Sequence, residues 1–126
     1  MITGIGIDMI EVDRVAKKIG KESGFREMVF SKKEIEYCES KAKKFEHYAA
    51  RFAAKEAFLK AIGTGWRTGI AFNEIETTGD DVGKPEMVLF GETAKSAVTA
   101  IGNLKIFVSL SHLKNIASAV VVVESH

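Results

Sequence analysis

The sequence predicts an α+β domain: a mainly antiparallel sheet packed with a long central helix. Three observations carry this. Residues 2–8 alternate, with Thr3, Ile5 and Ile7 on one face and Gly4, Gly6 and Asp8 on the other, as a strand does. Residues 46–62 are apolar on almost every side, as a buried helix is. The second half is rich in short β-branched runs that end in "KIFVSLSH" (105–112) and "IASAVVVVE" (116–124). The chain has 126 residues, which fits one domain, 1–126. Chains of that size bury about two-thirds of their unfolded surface, enough for a core without staples.

The elements follow in order. After the first strand, the spacing predicts a helix from about Asp13 to Ile19, ended by Gly20 with a further break at Gly24. The next helix has a clear start. Ser31 and Glu34 form a capping box, and Phe30 with Ile35 fit a hydrophobic staple. "SKAKK" reads as a solvated junction. The long helix runs from about Glu46 to Ile62 and is stopped by "GTG" at 63–65. Strands at 71–77 and 85–90 are joined by a turn through Gly79 and "GKP" at 83–85. A helix at about 92–101 precedes the last two strands, which join through a short turn near Leu113–Asn115.

Composition excludes several classes. With 18 basic and 17 acidic residues the net charge is +1, so no global field draws the chain to nucleic acid or a membrane surface. One cysteine, Cys38, forms no intrachain disulfide or cysteine-rich zinc site and suits a reducing cytosol. Cys38 reads as a helix residue rather than a nucleophile. "MITGIGIDMIEV" has no basic leader and no long apolar run, so a cytoplasmic protein is expected. No run is long enough to span a membrane.

"RFAAKEAFLKAIG" (51–63) poses the functional question. Arg51 with Lys55, and Glu56 with Lys60, make two narrow charged strips on an otherwise apolar helix. Buried charges must be paired or hold an ion or ligand. The plain alternative is an i to i+4 ladder between Glu56 and Lys60.

Asp8 ends its strand beside two glycines, which leaves room for a bulky group or lets Asp8 cap the next turn. Two carboxylates with phosphate oxygens and water suit Mg²⁺, and Asp8 and Glu56 form such a pair if the fold joins them. In "VSLSH", Ser109 and Ser111 lie opposite Val108 and Leu110. With His112 they suit a phosphate, or else a polar strand edge. "GDDVGKP" is not a P-loop: its glycine spacing is one short, and Pro85 fills the hydroxyl position. Arg14, Lys17, Lys18 and Lys21 fall on one helical face, opposite Val12, Val15, Ala16 and Ile19. That face is solvated or docks an acidic partner.

Five stretches in order, "GIGIDMIEVDR" (4–14), "FSKKE" (30–34), "RFAAKEAFLKAIGTG" (51–65), "GKP" and "VSLSH", resemble the bacterial holo-acyl-carrier-protein synthases, which are 4′-phosphopantetheinyl transferases. The resemblance covers essentially the whole chain. It implies coenzyme A as substrate, transfer of its phosphopantetheine arm to a serine of an acidic apo acyl carrier protein, and release of adenosine 3′,5′-bisphosphate. Asp8 and Glu56 match Mg²⁺ ligands, and Lys60 matches the lysine beside the pyrophosphate. Gly63 lies near the same phosphates. Arg51 and His112 match groups near the 3′-phosphate, and Lys84 and Pro85 lie in the loop around the adenosine. Arg14, Lys21 and Phe25 match the carrier-docking face. The helix's charged strips would then open onto a cleft. Short members of the family are trimers with active sites shared between subunits, so a homotrimer is implied. The residue types leave Glu56 and a metal-bound water as alternative bases. Two other readings use the same residues: a Mg²⁺-dependent phosphohydrolase acting on a diphosphate, and a non-catalytic module binding coenzyme A or a carrier protein.

Overall fold

A computed structural model describes residues 1–63, 66, 68–79 and 83–125. The mixed helix and antiparallel-sheet class holds. Strand β1 (Ile2–Glu11) leads into helix α1 (Val12–Gly20), a short helix α2 (Phe25–Val29), α3 (Lys32–Glu39) and the long α4 (Lys44–Ile62). The hairpin β2 (Ile75–Gly79) and β3 (Pro85–Leu89), helix α5 (Gly91–Ile101), β4 (Leu104–His112) and β5 (Ile116–Ser125) complete the chain.

The main sheet is antiparallel with the order β1-β5-β4, so the first strand pairs with the last. The second sheet is the β2-β3 hairpin. Helix α4 lies against β1 and β5, where Ala53, Ala57, Phe58 and Ala61 bury with Ala119, Val121 and Val123. A second cluster, Val15, Phe30, Cys38, Tyr48, Ala49 and Ala50, packs α1, α2 and α3 onto the first half of α4. Alanine dominates the contact face of α4, and small side chains let helix and sheet approach closely.

Several boundaries differ from expectation, each for a local reason. The first strand runs on to Glu11 because Asp8 to Glu11 pair with Ala119 to Ile116. Helix α2 was not foreseen. Gly24 starts it at φ +87, and its anchor Phe25 packs on Phe30 and Phe52, contacts that leave no trace in a five-residue pattern. The expected strand 71–77 begins instead with a 3₁₀ turn, Phe72–Glu74. Glu74 there accepts from the Thr93 backbone N–H and hydroxyl, which ties the turn to α5. The capping box stands as read: Glu34 N donates to Ser31 Oγ and Ser31 N to Glu34 Oε1. The stop at 63–65 and the turn at 79–85 fall partly outside the described residues; Gly63 closes α4 at φ +62. Among the described residues, no helix is long and apolar enough to cross a membrane.

Candidate active site

Two polar clusters stand on opposite flanks of α4. The first is built by β1. Its alternation turns Gly4, Gly6 and Asp8 toward the helix, and a Cβ at either glycine would strike the Ala61 or Ala57 carbonyl oxygen. The glycines therefore make room for the α4 backbone, not for a ligand, which corrects the sequence expectation. Asp8 follows at the end of that contact. Lys60 Nζ lies 3.0 Å from Asp8 Oδ1 and also donates to the Ile7 carbonyl at 3.0 Å. Lys60 is thus bonded across to β1 rather than serving as the Glu56–Lys60 ladder of the plain reading. Half-buried Glu56 is held above the usual carboxylate range, first by burial and then by the charge of Asp8, with Lys60 and Lys18 opposing. A carboxylate whose proton is held more tightly by a second carboxylate nearby marks a place where added positive charge is favourable. Oxygen-only donors in a partial set fit Mg²⁺, which completes its shell with substrate oxygens and water.

The second cluster lines a cavity of about 370 Å³ formed by Tyr37, Arg51, Pro85, Leu110 and His112 with neighbouring His47 and Thr78. Arg51 is 5% exposed, and its Nε has no hydrogen-bond partner. Its guanidinium sits 4.2 Å from the centre of the Tyr37 ring. Among the described residues no carboxylate forms an ion pair with Arg51, and a buried cation without a paired anion is an uncompensated cost unless a ligand supplies one. On the far side, His112 Nδ1 lies 2.8 Å from Glu46 Oε1.

The two clusters do not meet within one chain. Asp8 is on β1 and His112 on β4, with β5 between them, which separates the strands by roughly 10 Å. Arg51 and Glu56 are five residues apart, about 140° around α4.

The remaining predicted residues divide clearly. Gly63 caps α4 one turn beyond Lys60. Lys84 is exposed beside Pro85. Ser109 does not join His112. Strand alternation puts Ser109 and Ser111 on the outer sheet face and His112 on the helix face with Val108 and Leu110. Lys55 also departs from expectation. It opens onto no cleft: fully buried, its Nζ donates to Glu34 Oε1 at 2.8 Å, to the Phe72 carbonyl and to the Ile75 carbonyl. Of the two charged strips, Glu56–Lys60 reaches solvent, whereas Lys55 is buried in the core and Arg51 faces the cavity.

On α1 Arg14, Lys17 and Lys18, and just past its end Lys21, are exposed while Val12 and Val15 are buried. Lys17 pairs with Asp13, and Lys18 lies over the rings of Phe25 and Phe52. Lys18 is near enough to Glu56 to favour its charged form, so the basic face adjoins the carboxylate pair. Cys38 is buried, and burial pushes its thiol up to about 12, which keeps it out of nucleophilic chemistry. Sequence reasoning missed Tyr37, Glu46, His47 and Thr78. Their signal was limited to position on α3, α4 and β2, since their partners lie far away in the chain.

The sequence model of the 4′-phosphopantetheinyl transferase superfamily matches residues 4–120. The chain belongs to that superfamily. It is an enzyme of the holo-[acyl-carrier-protein] synthase type, a transferase. A holo-[acyl-carrier-protein] synthase of Cytophaga hutchinsonii is 51% identical over 122 residues, covering 96% of each chain. A crystal structure of a holo-(acyl-carrier-protein) synthase from Bacillus anthracis in complex with CoA (3′,5′-ADP) superposes with a TM-score of 0.80 at 37% identity, covering 100% of this chain and 99% of that one. The Neisseria meningitidis holo-[acyl-carrier-protein] synthase gives a TM-score of 0.87 at 32% identity, covering 99% and 100%. The family's fold is therefore the fold described above, over the full described length.

Proposed function

We propose that this chain transfers the 4′-phosphopantetheine arm of coenzyme A to a serine hydroxyl of apo acyl carrier protein, in a Mg²⁺-dependent reaction that releases adenosine 3′,5′-bisphosphate. The observation that carries this is the Asp8–Glu56 pair, with Lys60 ion-paired to Asp8 and a basic helix alongside. The Bacillus anthracis relative, crystallised with CoA (3′,5′-ADP), supports the substrate.

The roles follow from charge. Asp8 and Glu56 would hold Mg²⁺, which when bound supplies positive charge to the diphosphate. The seryl oxygen bonds to phosphorus while the bond from phosphorus to the adenosine bisphosphate oxygen breaks. Lys60 meets the charge that builds on the departing phosphate and gives it a proton. The seryl proton leaves to a base at the carboxylate pair. Arg51 and His112 grip the 3′-phosphate, with Pro85 and Lys84 beside the adenosine. Gly63 keeps the end of α4 free of side chain near the diphosphate. Ser109, on the outer sheet face, serves only if a neighbouring subunit brings a ligand there. Arg14, Lys17, Lys18, Lys21 and Phe25 dock the acidic carrier, whose serine then arrives at the carboxylate pair.

One unit spans residues 1–126, and three copies make the working enzyme. Two features support an assembly. The grip on the 3′-phosphate and the carboxylate pair lie on opposite flanks of α4, so one extended coenzyme A reaches both most simply across two copies. The outer face of β1 also leaves Ile5, Ile7 and Met9 about two-thirds exposed, an apolar patch that a second copy would cover. With one thiol in the chain, the reducing cytosol is its place of work.

The test is intact mass of an apo acyl carrier protein after incubation with the enzyme, coenzyme A and Mg²⁺, with an EDTA control. A gain of one phosphopantetheine that EDTA abolishes supports the reading. Free adenosine bisphosphate with unmodified carrier favours a phosphohydrolase, and binding without either product favours a binding module.

A further inference from the structure

Behind His112, away from the 3′-phosphate cavity, stands a carboxylate that the reaction above does not use. Glu46 is nearly buried in the first turn of α4. Its Oε1 lies 2.8 Å from His112 Nδ1. An ionised carboxylate only accepts hydrogen bonds, so Nδ1 donates and its proton is committed to Glu46. Nε2 is then the ring's one remaining polar atom for the cavity. An anion there needs an N–H, so His112 meets a phosphate as the imidazolium, with Glu46 as its counter-charge. The ring is also held edge to face against His47 at 4.9 Å, and His47 against Tyr37 at 5.5 Å. Tyr37 in turn lies over Arg51. Among the described residues, the charged and titratable groups around His112 and His47 are Glu46, Arg51, Tyr37 and Lys41; β5 places Ala117 opposite His112.

We propose that Glu46 is a positioning residue that orients and charges His112, and so sets the enzyme's preference for coenzyme A over forms without the 3′-phosphate. This rests on the reading of the Arg51–His112 cavity as the 3′-phosphate site. Glu46 touches neither the carboxylate pair nor the transferred arm, so its effect belongs in substrate binding and leaves the chemical step alone.

The experiment compares KM and kcat for coenzyme A and for 3′-dephospho-coenzyme A in wild type, Glu46→Gln and Arg51→Ala. Glu46→Gln keeps an acceptor of the same shape and removes only the charge. It should raise KM for coenzyme A about tenfold, the difference between a charge-assisted and a neutral hydrogen bond. Its kcat, and its KM for the dephospho form, should stay at wild-type values. Equal losses on both substrates, or no loss on either, would overturn the proposal. Arg51→Ala separates the two layers. If it weakens coenzyme A selectively while Glu46→Gln does not, only the role of Glu46 falls. If Arg51→Ala weakens both substrates alike, the cavity is not the 3′-phosphate site and both readings fall.

Discussion

Replacing Lys55 by Met tests whether the buried strip of α4 is structural. Lys55 is fully buried, as is Glu34. The ammonium satisfies one carboxylate oxygen and two backbone carbonyls, those of Phe72 and Ile75. Glu34 itself also accepts from the Ser31 and Thr77 backbone N–H groups. Methionine fills nearly the same volume and strands a carboxylate in the core with only those two donors. Removing one partner of a buried pair costs about 3–5 kcal/mol. Unfolding entropies for a chain of 126 residues make each kcal/mol worth about 4 °C, so Tm should fall by about 12–20 °C. Circular dichroism melts of Lys55→Met, Glu34→Gln and the double variant measure this. The double variant should recover part of the loss, because it removes the stranded charge. A Lys55→Met melt within about 4 °C of wild type, roughly 1 kcal/mol, would refute the reasoning.

Three further outcomes are expected. Asp8→Ala should abolish transfer and leave the melt near wild type; substantial turnover in a folded variant would remove Asp8 from the metal site. Lys17→Glu with Lys18→Glu should raise KM for the carrier protein at least several-fold and leave coenzyme A affinity unchanged, whereas an unchanged carrier KM would mean the face is only solvated. His47 is held below the usual imidazole range by burial first, then by His112, Arg51 and Lys41. The unfolded chain therefore binds that proton more readily, and stability drains away as pH falls below about 6.5, the unfolded value. Urea melts of His47→Phe between pH 7 and pH 5 should show a shallower decline than wild type, and coincident slopes would contradict this assignment.

Local features were legible in the sequence and distant pairings were not. The Ser31–Glu34 box declared itself because all its partners lie within three residues. The face shared by Gly4, Gly6 and Asp8 was legible from alternation, but its occupant, the α4 backbone, comes from residues 57–61. Lys55 looked like one of a pair of charges seeking a cleft because Glu34 is 21 positions away. His112 and Glu46 are 66 apart. Ser109 is the instructive case. Its separation from His112 needed no structure, since period two sends positions 109 and 112 to opposite faces, but a shared chemical type drew them together. The flanking of α4 by two half-sites depends on strand order, which no local pattern encodes.

The pairing of β1 with β5 also governs when the fold can form. Ile2 lies opposite Glu124 and Glu11 opposite Ile116. β1 thus leaves the ribosome well before its partner β5, which is also the strand between β1 and β4. Until residue 116 onward is available, neither β1 nor β4 has a neighbour in the main sheet, and Ile5, Ile7 and Ile10 have no ladder to join. Folding is therefore dominated by contacts of long sequence separation and is slow to start. A nascent or truncated chain ending before β5 keeps its helices and the β2-β3 hairpin at most, and offers its apolar first strand to chaperones or to other chains.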